Sequence, residues 1–333
     1  MITARLLIAL GSLAVTGWAQ PSAGVAGPVT GFIFDAQLRA VRPMLGIPGA
    51  AYLGNAVAAG LNAASVAPDG SAALAVQQNG KLLLYTGLRG ATPVVTALAG
   101  AIANPDHFAW TANSSAAAIY SSHAGQAQVL TALTNSPVAA APIDLSSLPG
   151  PVAALAFDGQ RLILAVASAD SGGIYLAGAA ASGMERIAPA AGPSAIALAG
   201  SNLYFSDNQS QQIFQVQNYA ATSATVSFAN DSGINSPAGL QVSADGQRLY
   251  VANAGNRKLA VYDIPSRTPI QSLDLNFIPT RLDRFGDSSV FLMNGSGTEP
   301  LYVVRDGGPG QAAVYFVPSA AKPRPLKAPI RRW

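Results

Sequence analysis

The chain contains no cysteine. Disulfides, zinc–thiolate sites, cysteine nucleophiles and thioether-linked haem are therefore excluded. Histidine is almost absent as well: His107 and His123 are the only two, and no Gly-x-Ser-x-Gly turn is present to give either one a serine partner. No phosphate-binding loop, HExxH pair or EF-hand pattern occurs. We expect both histidines to lie in solvated loops, His107 at the entrance to a blade and His123 after the strand at 116–121.

Charge is also scarce, because charged residues make up 11% of the chain against roughly 25% in an average soluble domain. Glu185 and Glu299 are the only glutamates among 16 acidic residues, and the others are aspartates. Aspartate favours turns whereas glutamate favours helices, so many turns and few helices are expected. With 33 glycines, 23 prolines and half of the residues apolar, the composition predicts an all-β fold of short strands.

A short turn signal recurs along the chain, each time just before an apolar strand. Its copies are Asp69-Gly70, Asn113-Ser114, Asp158-Gly159, Gly200-Ser201, Asp245-Gly246 and Gly286-Asp287. The steps between successive copies are 43, 46, 41, 46 and 40 residues. A repeat of this length that holds several short strands is the signature of a β-propeller blade. The sequence therefore predicts a propeller of four-stranded blades.

The clearest repeat has four strands, at 238–242, 248–252, 258–263 and 270–275. Alternate residues of the second strand should be buried between adjacent blades, because packed sheets need apolar faces. Across the repeats these residues are Leu74, Val76, Leu162, Leu164, Leu203, Phe205, Leu249 and Val251.

The number of blades is less clear from the spacing. Six pairs of first and second strands can be counted, but segment 31–35 adds a seventh candidate for a third strand. Together with 38–45, it parallels the third and fourth strands at 81–85 and 92–98. We favour seven blades with an irregular first blade, and six blades with an N-terminal hairpin plug is the alternative. The last blade looks complete through 313–317.

The two ends of the chain differ from the repeats. Residues 1–19 resemble a secretory signal, with Arg5, a ten-residue apolar stretch at 6–15 and a Gly17-Trp18-Ala19 cleavage site. Ten apolar residues are too few to span a bilayer, which needs about 20. We therefore expect no transmembrane segment, export to the periplasm or the extracellular space, and one propeller domain over 20–319.

The C-terminal segment 320–333 contains five cations, three prolines and no acidic residue. We expect an extended tail, which is either a solvated end without a partner or a contact for an anionic surface such as lipid headgroups or polysaccharide. Without the tail and Arg5, the rest of the chain has 13 basic and 16 acidic residues. It also has no basic patch interleaved with aromatic residues, so no nucleic-acid partner is expected.

One long stretch carries a family resemblance. Residues 237–263, which read PAGLQVSADGQRLYVANAGNRKLAVYD, resemble the NHL and YVTN families of propeller repeats, and 193–208 is a degenerate copy. The resemblance implies a propeller from a bacterial exported protein, usually a binding or scaffold module. The chain lacks the Gly-His and Trp-Asp pattern of WD40 repeats. Trp110 and Trp333 alone remain after the leader, too few for a pyrroloquinoline-quinone dehydrogenase.

Propeller lactonases are also similar to this repeat, and they hold a divalent metal with Glu, Asn and Asp in the central funnel. No early glutamate of this chain matches that pattern. Asp207, Asn253 and Asn294 are near the ends of consecutive second strands, however, and are the candidate ligands of such a metal.

In a propeller, the loops that join second to third strands share one rim with the connections between blades. Here these loops are rich in amides and hydroxyls, which suit a sugar, a peptide or a weakly held Ca²⁺. The same residue types are also what tight turns require. The candidate binding residues are Gln78, His123, Asp170, Asp207, Asn208, Asn253, Asn256 and Asn294.

The sequence thus favours a monomeric, non-enzymatic binding or scaffold propeller that recognises a partner protein or a small polar ligand at this rim. No cofactor is expected other than Ca²⁺. The alternatives are a metal-dependent enzyme of the lactonase or hydrolase type and a plain structural module.

Overall fold

The computed structural model describes residues 28–178, 183–221, 223–295 and 300–318. In this part of the chain all regular structure is β-strand, arranged in seven sheets. The protein is therefore an all-β propeller, as the repeat spacing predicted, and it has seven blades, the number that the sequence favoured over six. The expected signal sequence 1–19 and tail 320–333 lie outside the described residues.

The strands of the first four blades follow the chain order. The first blade contains β1 (Val29–Asp35), β2 (Ala40–Leu45), β3 (Tyr52–Leu53) and β4 (Ala58–Ala59). The second contains β5 (Leu61–Val66), β6 (Ala72–Gln77), β7 (Leu82–Thr86) and β8 (Val94–Ala97). The third contains β9 (His107–Trp110), β10 (Ala117–Ser121), β11 (Gln126–Thr131), β12 (Val138–Ala139) and β13 (Ile143–Asp144). The fourth contains β14 (Val152–Phe157), β15 (Arg161–Val166), β16 (Gly173–Gly178) and β17 (Met184–Pro189).

The remaining three blades each have four strands. The fifth contains β18 (Pro193–Ala199), β19 (Asn202–Asp207), β20 (Gln212–Gln217) and β21 (Ala224–Ala229). The sixth contains β22 (Pro237–Val242), β23 (Arg248–Asn253), β24 (Lys258–Asp263) and β25 (Thr268–Asp274). The seventh contains β26 (Asp283–Phe285), β27 (Asp287–Leu292), β28 (Leu301–Arg305) and β29 (Ala313–Val317).

Within each blade the strands pair antiparallel, and five blades have four strands in plain sequence order. In the third blade the outer strand is divided into β12 and β13, which both pair with β11. From the second blade onward, the first strand is innermost. First strands of neighbouring blades contact one another from the third blade to the seventh, and Trp110 Nε1 of β9 donates to Ser65 Oγ of β5 at 3.0 Å. Each of the six turn signals contains a residue with positive φ, which is Ser114 in one signal and Gly in the other five, and this explains the preference for Gly there.

Seven clusters of buried apolar side chains fill the seven seams between blades. All eight core residues predicted from the sequence are confirmed, with no more than 2% of any of them exposed. The second strands are in fact buried on both faces. Leu249 and Val251 pack toward the fifth blade, whereas Tyr250 and Ala252 pack toward the seventh.

The first blade is irregular, as expected, but the strand assignment within it was wrong. The sequence placed 31–35 and 38–45 at the third and fourth positions. The structure instead places β1 and β2 at the second and third positions, with β3 and β4 side by side as a divided outer strand on β2. The described residues of the first blade therefore begin with the strand at the second position, and no described strand occupies its first, innermost position.

Turn geometry supports this assignment. Arg39 has a φ of +50° four residues after Asp35, just as Arg257 has a φ of +54° four residues after Asn253. The Leu61 N–H donates to the Arg39 carbonyl at 3.0 Å. The same bond joins Leu275 to Arg257 and Leu145 to Gly125, both at 2.8 Å. The turn after β1 is therefore equivalent to a turn between second and third strands.

The ring closes by side-chain packing between the last and first blades. The last blade has its own four strands, as the sequence predicted. Ile33, Met44 and Leu53 of the first blade share a buried cluster with Phe285 and Val317 of the last. Gly31 lies against the Phe285 ring, where an added Cβ would come within 2.8 Å of Cζ.

Candidate functional site

We call the end of the ring that carries the turns between second and third strands the loop rim. These turns lie at 36–39, 78–81, 122–125, 167–172, 208–211, 254–257 and 293–300, the last of which is described except for 296–299. The connections between blades meet the same rim, because the Asn104 N–H donates to the Gly80 carbonyl at 3.0 Å. All eight candidate binding residues lie in or beside these turns.

Asp207 ends β19 and is 5% exposed. Its Oδ1 accepts the backbone N–H groups of Gly192 at 3.0 Å and Gln209 at 2.9 Å. Asp207 therefore ties the turn after its own strand to the connection that enters the fifth blade.

Asn253 occupies the equivalent position in the sixth blade and is fully buried. Its Oδ1 accepts the Asn235 N–H at 3.0 Å, and its Nδ2 donates to the Val251 carbonyl at 3.2 Å. Both ends of the amide are therefore engaged with the backbone.

Asn294, which is 6% exposed, uses its side chain in a similar way. Its Oδ1 accepts the Tyr302 N–H at 2.7 Å, and its Nδ2 donates to the Pro300 carbonyl at 3.0 Å. Each of the three candidate metal ligands thus has a side-chain oxygen bonded to backbone N–H. Among the described residues, no three His, Asp or Glu side chains lie close enough together to hold a metal ion.

The other candidates are more accessible. Asn208, Gln78, His123 and Asp170 are exposed on turns of four different blades. Asn256 is half-buried: its Nδ2 donates to the Gly233 carbonyl at 3.2 Å, while its buried Oδ1 has no hydrogen-bond partner among the described residues. The rim therefore divides into buried turn caps and exposed polar groups that can meet a ligand.

A hollow of about 290 Å³ opens on the loop rim of the second blade. Gly60, Gln77, Gln78 and Asn79 line it. Asn62 lies beside it, because its Nδ2 donates to the Gln77 carbonyl at 3.2 Å. The hollow contains Gln78 of the predicted set together with Gln77 and Asn79 of the same amide-rich turn, whereas the sequence did not indicate Gly60.

Asn104 borders the same turn from the connection between the second and third blades. Gly80, with a φ of +80°, allows this approach, since an added Cβ would lie 2.5 Å from the Asn104 Oδ1. We call the set of exposed or half-exposed amides Asn62, Gln77, Gln78, Asn79 and Asn104 the amide patch. Arg39 extends it toward the first blade, because its guanidinium donates to Asn62 Oδ1.

A cluster of titratable groups adjoins the amide patch on the third blade. Asp106 accepts hydrogen bonds from the Ser122 hydroxyl and backbone N–H, and its Oδ1 is 3.0 Å from His107 Nδ1. Partial burial acts to raise the pKa of Asp106, but the bonds from Ser122 and His107 outweigh it and lower the pKa. Burial, with the Asp106 charge, raises the pKa of Tyr120, whose ring meets the His107 ring edge-on.

Both histidines of the chain therefore lie at the loop rim of one blade. The strand pairing explains this, because His107 is opposite Tyr120 in the β9–β10 ladder and so brings Asp106 to Ser122. The sequence showed each histidine but gave no sign of the Asp106–Ser122 contact, which joins residues from two separate segments.

No family model matches the chain, and no curated protein matches it. Solved structures are similar in fold. A functionally unknown protein from Desulfotomaculum acetoxidans is 14% identical with a TM-score of 0.62, over 86% of this chain and 100% of that one. A Lactobacillus plantarum protein is 16% identical with a TM-score of 0.62, over 86% of this chain and 98% of that one. A Bacteroides fragilis protein named "putative 6-phosphogluconolactonase" is 13% identical with a TM-score of 0.60, over 90% of this chain and 97% of that one.

These identities establish the propeller fold and nothing finer. They do not distinguish the NHL and YVTN repeat types from other propellers. In the described part of the chain, no helix has the length and apolar character needed to cross a membrane.

Proposed function

We propose that the protein is an exported, non-enzymatic binding propeller that recognises a small polar ligand or a polar segment of a partner protein at its loop rim. The observation that carries the proposal is the hollow beside the amide patch. Its rim presents amide groups from the second blade and from the connection that leads to the third blade, most of them exposed. Primary amides both donate and accept hydrogen bonds, so they match hydroxyl-rich or peptide ligands.

Two features of the loop rim favour the amide patch over the buried candidate residues as the ligand site. The side-chain oxygens of the three buried candidates, Asp207, Asn253 and Asn294, already accept hydrogen bonds from backbone N–H groups. A ligand at these oxygens would have to displace bonds that hold the turns in place. Gln78 and Asn104, by contrast, are exposed on two segments that meet at Gly80. Asp170, Asn208, Asn256 and His123 stay candidates for a wider contact with a partner protein.

The test is a binding screen by calorimetry with neutral oligosaccharides, short peptides and Ca²⁺, followed by the double substitution Gln78→Ala with Asn104→Ala. We expect a neutral polar ligand to bind the wild type and to lose about tenfold in affinity in the variant, because two hydrogen bonds at roughly 0.5–1.5 kcal/mol each are removed. Gln209→Ala, an exposed glutamine on the fifth blade's turn, is the matched control. Equal losses in both variants would contradict the assignment to the amide patch.

The name of the Bacteroides neighbour favours the competing function, a lactonase-type hydrolase. Its test is lactone hydrolysis with and without added divalent ions. Metal-dependent turnover that falls in Asp207→Asn would replace the binding proposal with the enzymatic one. Ca²⁺ binding without turnover fits the binding proposal, with the ion as a structural or ligand-bridging group.

A further inference from the structure

A second hollow, of about 280 Å³, opens at the rim opposite the loop rim, where the fourth and fifth blades meet. The fourth blade lines it with Arg161 at the start of β15, Leu176 on β16 and Glu185 on β17, among others. The fifth blade lines it with residues 219–221, in the turn that follows β20. Leu176 and Tyr219 also belong to the buried apolar cluster between these blades, so the hollow lies next to that cluster.

Arg161 and Glu185 project from the same face of the fourth blade. Ile163, two residues after Arg161, is opposite Leu176, and Leu176 is in turn opposite Glu185. Residues two apart on a strand share a face of the sheet, and so do residues opposite each other on neighbouring strands. Ile163 and Leu176 pack against the fifth blade. Arg161 and Glu185 are therefore directed toward the fifth blade as well.

Arg161 and Arg248 occupy the same position in different blades, since they begin the second strands β15 and β23. Arg248 meets a carboxylate of the following blade, with Nη2 2.9 Å from Asp306 Oδ2. The residue of the fifth blade that corresponds to Asp306 is Tyr219. The backbone N–H of each donates to a serine carbonyl near the start of its own blade's second strand, at 2.7 Å for Asp306 and 3.2 Å for Tyr219. Arg161 therefore faces a neutral residue where Arg248 faces a carboxylate.

The Arg161 guanidinium has only a loose partner within the described residues, because its Nη1 is 3.5 Å from Asp158 Oδ2. The Asp158 carboxylate is already engaged. Its Oδ1 accepts the backbone N–H groups of Gln160 at 2.7 Å and Arg161 at 2.6 Å, and its Oδ2 accepts the Tyr219 hydroxyl at 3.0 Å. In the described part of the chain, the Arg161 guanidinium donates no hydrogen bond. Its five N–H donors are therefore available to a ligand in the hollow.

Glu185 supplies the opposite charge at the same hollow. It is exposed, and its carboxylate forms no ion pair or hydrogen bond with another described residue. One strand separates β15 from β17, and the two residues are also offset by two positions along the sheet. With strands about 4.8 Å apart and a rise of about 3.3 Å per residue, their Cα atoms are about 12 Å apart. The hollow thus lies between a cation and an anion that do not neutralise each other.

We propose that this hollow binds a small zwitterion, a compound with one carboxylate and one ammonium group, as free amino acids and short peptides have. Arg161 receives the carboxylate in place of the missing inter-blade partner, because a planar guanidinium can donate two parallel hydrogen bonds to it. Glu185 receives the ammonium group, and the Tyr219 ring borders the apolar part of the ligand. A phosphate or a simple carboxylate fits less well, since the Glu185 charge repels an anion that carries no cation.

The hollow is on the rim opposite the amide patch, so this inference does not rest on the proposed function. The experiment is calorimetric titration of the protein with alanine, dialanine, N-acetyl-dialanine and dialanine amide. Dialanine should bind about tenfold more tightly than either blocked compound, because each of these lacks one charged contact. If alanine binds as tightly as dialanine, the zwitterion is a free amino acid, and if it binds more weakly, the zwitterion is a short peptide.

Two single variants assign the charges to their partners. Arg161→Gln should weaken dialanine binding about tenfold. Glu185→Gln should weaken the binding of dialanine but not that of N-acetyl-dialanine, which has no ammonium group. The control is Arg186→Gln, because Arg186 is an exposed arginine next to Glu185 on β17 that does not line the hollow. Dialanine binding that Arg161→Gln leaves unchanged would overturn the proposal.

A second measurement locates the site without any substitution, so it also serves if a variant folds poorly. In amide NMR spectra of the isotope-labelled protein, dialanine should shift the signals of Gly178 and of residues 219–221. The signals of Gly80 and Asn104 at the loop rim should stay unchanged. Shifts confined to the loop rim would assign the peptide to the amide patch and overturn this inference. Equal affinity for dialanine and N-acetyl-dialanine, or no binding of either alanine or dialanine, would overturn it as well.

Discussion

The Asp306 carboxylate in the last blade lies 2.9 Å from Arg248 Nη2 in the sixth blade. Their side chains are only 7% and 9% exposed, and Arg248 also meets Asp245 at 2.9 Å. Asp306 Oδ1 accepts the Gly308 N–H at 3.0 Å. This ion pair joins the sixth and seventh blades at the rim opposite the loop rim. The chain itself connects these two blades at the loop rim, between β25 and β26.

Asp306→Ala should lower the free energy of unfolding by about 1.5–3 kcal/mol, because a buried guanidinium loses a charged hydrogen-bond partner. The matched control is Asp274→Ala, which removes the exposed partner of Lys258 at 3.0 Å. An exposed pair contributes less than about 1 kcal/mol. Urea denaturation of both variants checks the prediction, and equal losses would show that the inter-blade pair contributes no more than a surface pair.

Acid should weaken the same contact. Burial acts to raise the pKa of Asp306, but the hydrogen bond from Arg248 and the Gly308 N–H outweigh it and bring the pKa below 3.8. A carboxyl group with a lowered folded-state pKa stabilises the protein fully above its unfolded pKa, and this contribution is lost as the pH falls through the folded value. Between about pH 4 and pH 2, the urea midpoint of Asp306→Ala should therefore fall less steeply than that of the wild type.

Alkali should act on a different blade contact. The Tyr219 hydroxyl donates to Asp158 Oδ2 at 3.0 Å, and burial together with the Asp158 charge raises the pKa of Tyr219 to about 12. A tyrosine with a raised folded-state pKa stabilises the protein below its unfolded pKa near 10, and this contribution is lost as the pH rises toward 12. Tyr219→Phe should thus be less stable at neutral pH but lose less stability across this window. A phenolate titration in which Tyr219 ionises near pH 10 would contradict the assignment.

The fold could be predicted because turn chemistry repeats at a fixed interval. Asp245-Gly246 and Asp158-Gly159 require positive φ at glycine, and the strands after them bury both faces. The first blade was misassigned because its turn, from Asp35 to Arg39, contains neither Gly nor Asn and still adopts the left-handed conformation at Arg39. Its outer strand is also divided into β3 and β4, which hides the expected spacing.

The site was harder to predict because side-chain amides serve two purposes at the loop rim: some cap turns from buried positions, and others are exposed to a ligand. Asn253 ends a second strand and Gln78 follows one, so both are amides at the loop rim, yet Asn253 is fully buried and Gln78 is exposed. Residue type does not reveal this difference, since burial depends on how the preceding connection packs. Likewise, the contact of Asn104 with the turn at Gly80 joins segments whose spacing carries no motif.

Asn253→Ala should therefore act on stability. The substitution removes both hydrogen bonds of a fully buried amide, to the Asn235 N–H and the Val251 carbonyl, at roughly 0.5–1.5 kcal/mol each. Asn208→Ala, an exposed asparagine on the neighbouring blade's turn, should change stability by less than about 0.5 kcal/mol. Thermal unfolding of the two variants checks this difference. If Asn253→Ala melted with the wild type but lost ligand or Ca²⁺ binding, Asn253 would be a binding residue and not a turn cap.

Ring closure can be tested with one pair of glycines at the same turn position in adjacent blades. Gly246 and Gly286 have φ values of +72° and +64°. A Cβ on Gly246 would meet nothing within 4 Å, whereas a Cβ on Gly286 would lie 1.7 Å from the Thr30 carbonyl oxygen of the first blade. Gly246→Ala should therefore cost only the backbone strain, about 1–2 kcal/mol.

Gly286→Ala bears the same strain and must also push the last blade away from β1. We expect an additional loss of at least about 1 kcal/mol, by analogy with overpacked cores, and faster proteolysis near the Thr30 end of β1. Chemical denaturation and limited proteolysis of both variants measure the difference. Equal stability in the two variants would mean that the first and last blades are not packed as closely in solution as the Gly286–Thr30 contact requires.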